Sequence, residues 1–211
     1  MATKKLLLIV VLLVPGPLFA QSASAPVKPG APAASDVDSA VIEVLRKSTA
    51  AQLARKSFRA LMDNSIGGYV LPSLQVEVVY PDRIRVKRSG LEVVSVGGKT
   101  MMKQGDKWSP APEGVSNFIG SFGDSKNDEK MYAQAVFAKS LGQTKIDERI
   151  VNIYELHSKT KTGLIKSKIF ISPDDGLVRR TETRGEIKGK EAIFNAMLGD
   201  YGVPIAIELP K

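Results

Sequence analysis

From Phe58 to Val86 the apolar residues fall on alternate positions: Phe58, Ala60 and Met62, then Leu74, Val76 and Val78, then Ile84 and Val86. A period of two belongs to a strand that buries one face, and a helix with its 3.6-residue period cannot satisfy it. Turn chemistry separates the runs, with Pro81-Asp82, Ser89-Gly90 and Gly97-Gly98 each able to reverse the chain. The pattern predicts a meander of antiparallel hairpins. Gly105-Asp106 turns the chain again before Trp108, and Pro110 and Pro112 end pairing there. Further strands are predicted at 144 to 157, 164 to 171 and 177 to 187, with Pro173-Asp174-Asp175-Gly176 as a turn. Pro204 to Glu208 is predicted to close the sheet.

Helical spacing occurs in three places. Ser35 or Asp36 can cap a helix with Val37, Val41, Val44, Leu45 and Leu53 on one stripe. Val115, Phe118, Ile119 and Phe122 mark a short apolar helix, and Met131 to Leu141 is read as another. The expected architecture is α+β: a curved antiparallel β-sheet forming a half-open β-barrel, its apolar face covered by the helices. Such an arrangement can enclose a cavity.

The first 35 residues are of a different kind. Lys4-Lys5, the apolar run Leu6 to Val14, and Leu18-Phe19-Ala20 have the layout of a secretory signal peptide over 1–20. The run is too short for a membrane-spanning helix, which needs roughly 20 apolar residues. Residues 21–35 are almost all Ala, Pro, Ser and Gly and read as a flexible linker, leaving 36–211 as a single domain. The expected location is periplasmic or otherwise secreted, soluble after signal cleavage. Cleavage removes Lys4 and Lys5 and lowers the net charge from +8 to +6. The chain contains no cysteine, so disulfides, thiolate nucleophiles and lipid attachment through a cysteine are excluded. With one histidine, His157, multi-histidine metal sites are excluded as well, and no cofactor is expected.

Several short segments carry a family likeness: the Phe58-Arg59 strand after the first helix, Tyr80-Pro81-Asp82-Arg83-Ile84-Arg85, Val96-Gly97-Gly98-Lys99, Asp106-Lys107-Trp108 and Asp200-Tyr201-Gly202-Val203-Pro204-Ile205. In this order they resemble the LolA/LolB-like lipoprotein-carrier superfamily, which also holds RseB and LppX-type proteins. The resemblance spans roughly 36 to 211. It implies a LolA-like half-open barrel whose apolar cavity takes up acyl chains of a lipid or lipidated protein.

Burying hydrocarbon contributes about 0.8 kcal/mol per methylene, so an acyl chain needs only a dry pocket of sufficient length. Val76, Val78, Ile84, Val86, Val93, Met101, Ile169 and Ile171 are expected to face inward, with Phe118, Ile119 and Phe122 on the helical side. The same residues could equally make a filled core. Arg83, Arg85 and Lys87 alternate with Ile84 and Val86, so they share one face and could meet anionic headgroups or an envelope protein partner. Nucleic acid is a poor match, since the chain carries an export signal and the charge has no stacking or recognition motif with it.

Catalytic readings find less support. Gly98-Lys99-Thr100 lacks the earlier glycine of a phosphate loop because Val93 stands there. Asp174-Asp175 and the Asp124, Asp128 pair lack the ligand spacing of a calcium loop. His157 and Glu155 fall on one strand face, but no glycine-flanked serine accompanies them. The expectation is a non-enzyme: a periplasmic carrier or chaperone for acyl chains. The alternative is an envelope protein-interaction or stress-sensing module on the same fold.

Overall fold

The computed structural model describes residues 36 to 210 apart from Ser121, Gly123 and Thr162. The expected signal peptide and linker lie outside the described residues. Helix α1 (Ser39–Ala54) precedes six strands, β1 (Ser57–Ile66), β2 (Tyr69–Val79), β3 (Arg83–Arg88), β4 (Leu91–Val96), β5 (Lys99–Gln104) and β6 (Lys107–Pro110). Helices α2 (Glu113–Gly120) and α3 (Ser125–Ala133) follow. The chain then forms β7 (Ala135–Ile146), β8 (Arg149–Thr160), β9 (Gly163–Ile171), β10 (Val178–Ile187) and β11 (Lys190–Gly199).

All eleven strands form one antiparallel sheet in the order β6-β5-β4-β3-β2-β1-β11-β10-β9-β8-β7. Two meanders, β1 to β6 and β7 to β11, are thus joined at the centre by the pairing of β1 with β11, with Arg59 opposite Gly199 and Ile66 opposite Ala192. The edges β6 and β7 do not pair with each other, so the barrel stays open.

Alternation works as expected in the first meander. Phe58, Leu74, Val76, Val78, Ile84, Val86, Val93 and Met102 pack on the inner face with Val115, Phe118 and Ile119 of α2. Fully burying a side chain of this size contributes about 1.5–3 kcal/mol. A second cluster joins Val41, Ile42 and Leu45 of α1 and Tyr132 of α3 to Ala138, Leu156, Ile169, Ile171 and Val178 of the other meander. Leu198 on β11 touches both clusters.

Helix α1 is capped by Asp38, not by Ser35 or Asp36: its Oδ1 accepts from the Ala40 amide at 2.9 Å. Val37 instead makes a parallel bridge to Ala138 on the β7 edge.

Four sequence expectations are corrected. The Met131–Leu141 stretch is helical only to Ala133 and then becomes β7, where two register shifts interrupt the ladder to β8 and blur the period of two. The predicted strand at 144 to 157 is two strands separated by Asp147-Glu148, which turn at φ 46° and 65°, conformations usually left to glycine or asparagine. Strand β11 was not expected; Ile193 and Met197 on its outer face make both faces apolar and hide the alternation. Finally, residues 204 to 208 form no strand but cross the outer face of the sheet. There Arg83 Nη1 donates to the Ile207 carbonyl at 3.2 Å and Arg85 Nη2 to the Ala206 carbonyl at 3.0 Å. Within this strap Ile207 is only 1% exposed.

Candidate functional site

A cavity of about 800 Å³ lies between the two core clusters. Its floor is the inner face of the central strands: Phe58, Ala60, Met62 and Val76 from one meander, Ile169, Val178, Ala196 and Leu198 from the other. Small Ala60 and Ala196 sit where the meanders join, and that missing side-chain volume keeps the middle of the sheet from filling as its flanks do. Helices α1 and α3, with Phe122 after α2, supply the opposite wall.

The helical wall is polar. Leu45, Ser48, Thr49 and Gln52 follow at three-and-four spacing on α1, so the apolar stripe begun by Val41 and Ile42 turns hydrophilic where it meets the cavity. Thr49 Oγ1 donates to Asp128 Oδ2 at 3.2 Å and lies 2.9 Å from the Tyr132 hydroxyl. Burial, with Asp124 and Glu129 close by, pushes the Asp128 carboxyl up to about 6, the bond from Thr49 opposing this. Tyr132 and Tyr80 are pushed up to about 12, burial again being the main cause and Asp128 adding to it. All three groups are therefore neutral in mildly acidic solution. Among the described residues Ser48 Oγ is buried without a hydrogen-bond partner, and on the sheet side Thr181 and Thr183 of β10 add hydroxyls.

Tyr201 ties this end together. Its hydroxyl donates to the Val178 carbonyl at 2.6 Å with Gln52 Oε1 3.3 Å away, and its ring lies 5.9 Å from that of Phe58.

Of the residues expected to face a cavity, Val76, Phe122 and Ile169 line it. Val78, Ile84, Val86, Val93, Phe118 and Ile119 lie in the close-packed cluster beside it, and Ile171 packs in the second cluster. Met101 is corrected. Met102 is the residue opposite Val93 on the inner face, while Met101 pairs with Val94 on the outer face. Two adjacent methionines carry no alternation to choose between them.

Arg83, Arg85 and Lys87 do share the outer face, but each has a partner within the molecule. Arg83 and Arg85 hold the C-terminal strap, Arg85 pairs with Glu77 at 2.6 Å, and Lys87 lies 3.9 Å from Glu92. Burial would raise the Glu77 carboxyl, yet hydrogen bonds from Arg59 and Arg85 outweigh it and hold it below the ordinary glutamate value.

His157 and Glu155 are 2.8 Å apart, with the imidazole stacked on Phe137 at 4.7 Å. They project from the face opposite Leu156 and Ser158, away from the cavity. Among the described residues no group of three His, Cys, Asp or Glu side chains is placed to hold a metal, and no helix is long and apolar enough to cross a membrane.

Sequence reasoning missed the polar half of the site. The available signal was Ser48, Thr49 and Gln52 continuing a stripe that should be buried.

The class this architecture defines is an open antiparallel sheet with a helix-covered cavity, an α+β fold. The chain shares its fold with three solved structures. Mycobacterium tuberculosis lipoprotein LppX matches with a TM-score of 0.62 at 13% identity over 82% of this chain and 100% of LppX. LprF from Mycobacterium bovis matches at 0.58 and 14% identity over 82% of this chain and 98% of LprF. MucB matches at 0.50 and 14% identity over 80% of this chain and 61% of MucB. No family model and no curated protein matches the sequence.

Proposed function

We propose that the protein is an exported, periplasmic carrier or chaperone that takes up acyl chains of a lipid or lipidated protein, with residues 36–211 as its single binding domain. The observation that carries this reading is the cavity of about 800 Å³ with an apolar floor. Ligand sites are typically about 300–1,000 Å³ and largely apolar, with a few convergent polar groups. The floor would take hydrocarbon, while Ser48, Thr49 and Asp128 on the helical wall would meet an ester or hydroxyl head. A neutral Asp128 can donate as well as accept there. The absence of cysteine among these residues excludes a cysteine-linked lipid, which suits a mobile carrier.

A second reading, an envelope protein-interaction or stress-sensing module, draws on the likeness to MucB, a protein that has also been solved in complex with MucA. Native mass spectrometry of protein purified from its producing cells separates the two. A discrete acyl-bearing mass at about one per chain, lost in an Ala196→Phe variant, is expected of a carrier. A clean apo mass, with no lipid able to displace an apolar fluorescent probe, would favour the interaction module.

A further inference from the structure

The two most exposed large hydrophobic residues lie together at one hairpin tip: Tyr69 is 74% and Val70 82% exposed. The tip projects beyond its neighbour. β2 pairs with β1 out to Tyr69 opposite Ile66, but with β3 only from Gln75 onward. About six residues, roughly 20 Å of strand, therefore extend past β3 with a free edge. The projection is braced on its other side. The Gly67 amide donates to the Glu191 carbonyl at 2.7 Å, and the stem of Lys190 packs against Gly67, whose φ of 58° and lack of Cβ allow the approach.

The hairpins beside it reach the same end. Ile187 faces Lys190 at the β10–β11 turn, and the β9–β10 register brings the end of β8–β9 level with it. This neighbour exposes Leu164 and carries Lys159 and Lys161. Among the described residues Lys159, Lys161 and Lys190 form no salt bridge, unlike Arg85 and Lys87. The nearby carboxylates are Glu186 and Glu191, and Glu191 lies 3.8 Å from Arg184.

We propose that this end of the sheet docks on an anionic membrane surface, with Tyr69 and Val70 entering the headgroup region and Lys159, Lys161 and Lys190 above it. Tyr69 and Val70 are adjacent on a strand and so point to opposite faces of the hairpin. A partner lying against one face would cover only one of them, whereas a lipid interface surrounds the tip and covers both. Tyrosine suits that boundary because its ring is apolar and its hydroxyl wet, and lysine stems can lie along acyl chains with the ammonium at the phosphates. Met62, Thr160, Ile165 and Thr183 carry the cavity wall toward this end, so docking here brings the cavity to the bilayer. The docking surface stands whether or not the cavity holds an acyl chain.

Flotation with phosphatidylcholine vesicles, with and without phosphatidylglycerol, tests it. The protein is expected to partition onto the anionic vesicles more strongly than onto the neutral ones, and salt should weaken it. Lys159→Gln/Lys161→Gln is expected to lower partitioning about thirtyfold. Tyr69→Ser/Val70→Ser is expected to lower it about tenfold. These side chains are exposed, so far-UV circular dichroism and the urea unfolding midpoint should match the wild type. Each variant is compared as recovered from its producing cells, with the same residues before 36. Equal partitioning onto neutral vesicles, unchanged flotation of either folded double variant, or no flotation with retention only on a protein partner would overturn the proposal.

Discussion

The β1–β6 meander and the β7–β11 meander meet their helices differently. In the first, Val93, Val115 and Ile119 have no measurable exposure, and the helical face is filled by aliphatic side chains. In the second, α1 and α3 stand over a face that carries Ser167, Thr181 and Thr183 as well as Ile169, and the space toward the first meander stays open. One sheet thus holds a rigid wall beside a roomy one. Packing is closest under α2, away from the cavity, and capacity lies where packing is incomplete.

The largest test of that contrast is Ile119→Ala. It removes a fully buried side chain from the filled half and should cost about 2–5 kcal/mol in urea unfolding. The residual folded protein should still take up an acyl probe; loss of uptake at unchanged stability would invert the assignment of the two halves.

A pH dependence should come from the open half. The Asp128 carboxyl is raised from 3.8 to about 6 in the folded protein, so it favours folding fully below about pH 4, and that contribution is lost as pH rises through about 6. Denaturation midpoints should fall across this window by the equivalent of about 3 kcal/mol, and Asp128→Asn should flatten the profile. A profile that is already flat in the wild type would show that the wall is wetter than its geometry indicates.

Arg85→Ala should destabilise by about 1–2 kcal/mol by releasing the strap and leaving Glu77 to Arg59 alone. Faster hydrogen exchange confined to residues 203–208 and β3 is the expected signature; an effect reaching α1 would mean that the strap supports the cavity too.

The smallest change in stability is expected for Ala196→Phe, within about 1 kcal/mol because the ring enters existing space. Uptake of an acyl probe should nevertheless fall at least about tenfold, since buried hydrocarbon is displaced. A large loss of stability would show the space to be already filled.

Much of the filled half was legible in the sequence, because Val76, Val78, Ile84 and Val86 alternate cleanly between one buried and one solvated face. The open half was less so. Asp147-Glu148 reverse the chain without glycine, and β11 is apolar on both faces, so the strand that joins the meanders was invisible to a period of two. The cavity itself draws on Ala60 of β1 and Ala196 of β11, which lie two register positions apart, opposite Leu198 and Met62, a long-range placement of small side chains that no local pattern announces. For the same reason Val86→Arg, which alternation alone offers as a probe of uptake, would disrupt the packed core instead.

The C-terminal strap also sets an order of events. Ile207 and Ala206 receive their hydrogen bonds from arginines 124 and 121 residues earlier in the chain. The outer surface of β3 is therefore completed only when residues 206 and 207 have been made and can reach back to it. For a chain threaded through a translocation pore amino terminus first, this leaves a transient sticky face during emergence. Docking of the strap, rather than strand formation, would then be the step that covers this face.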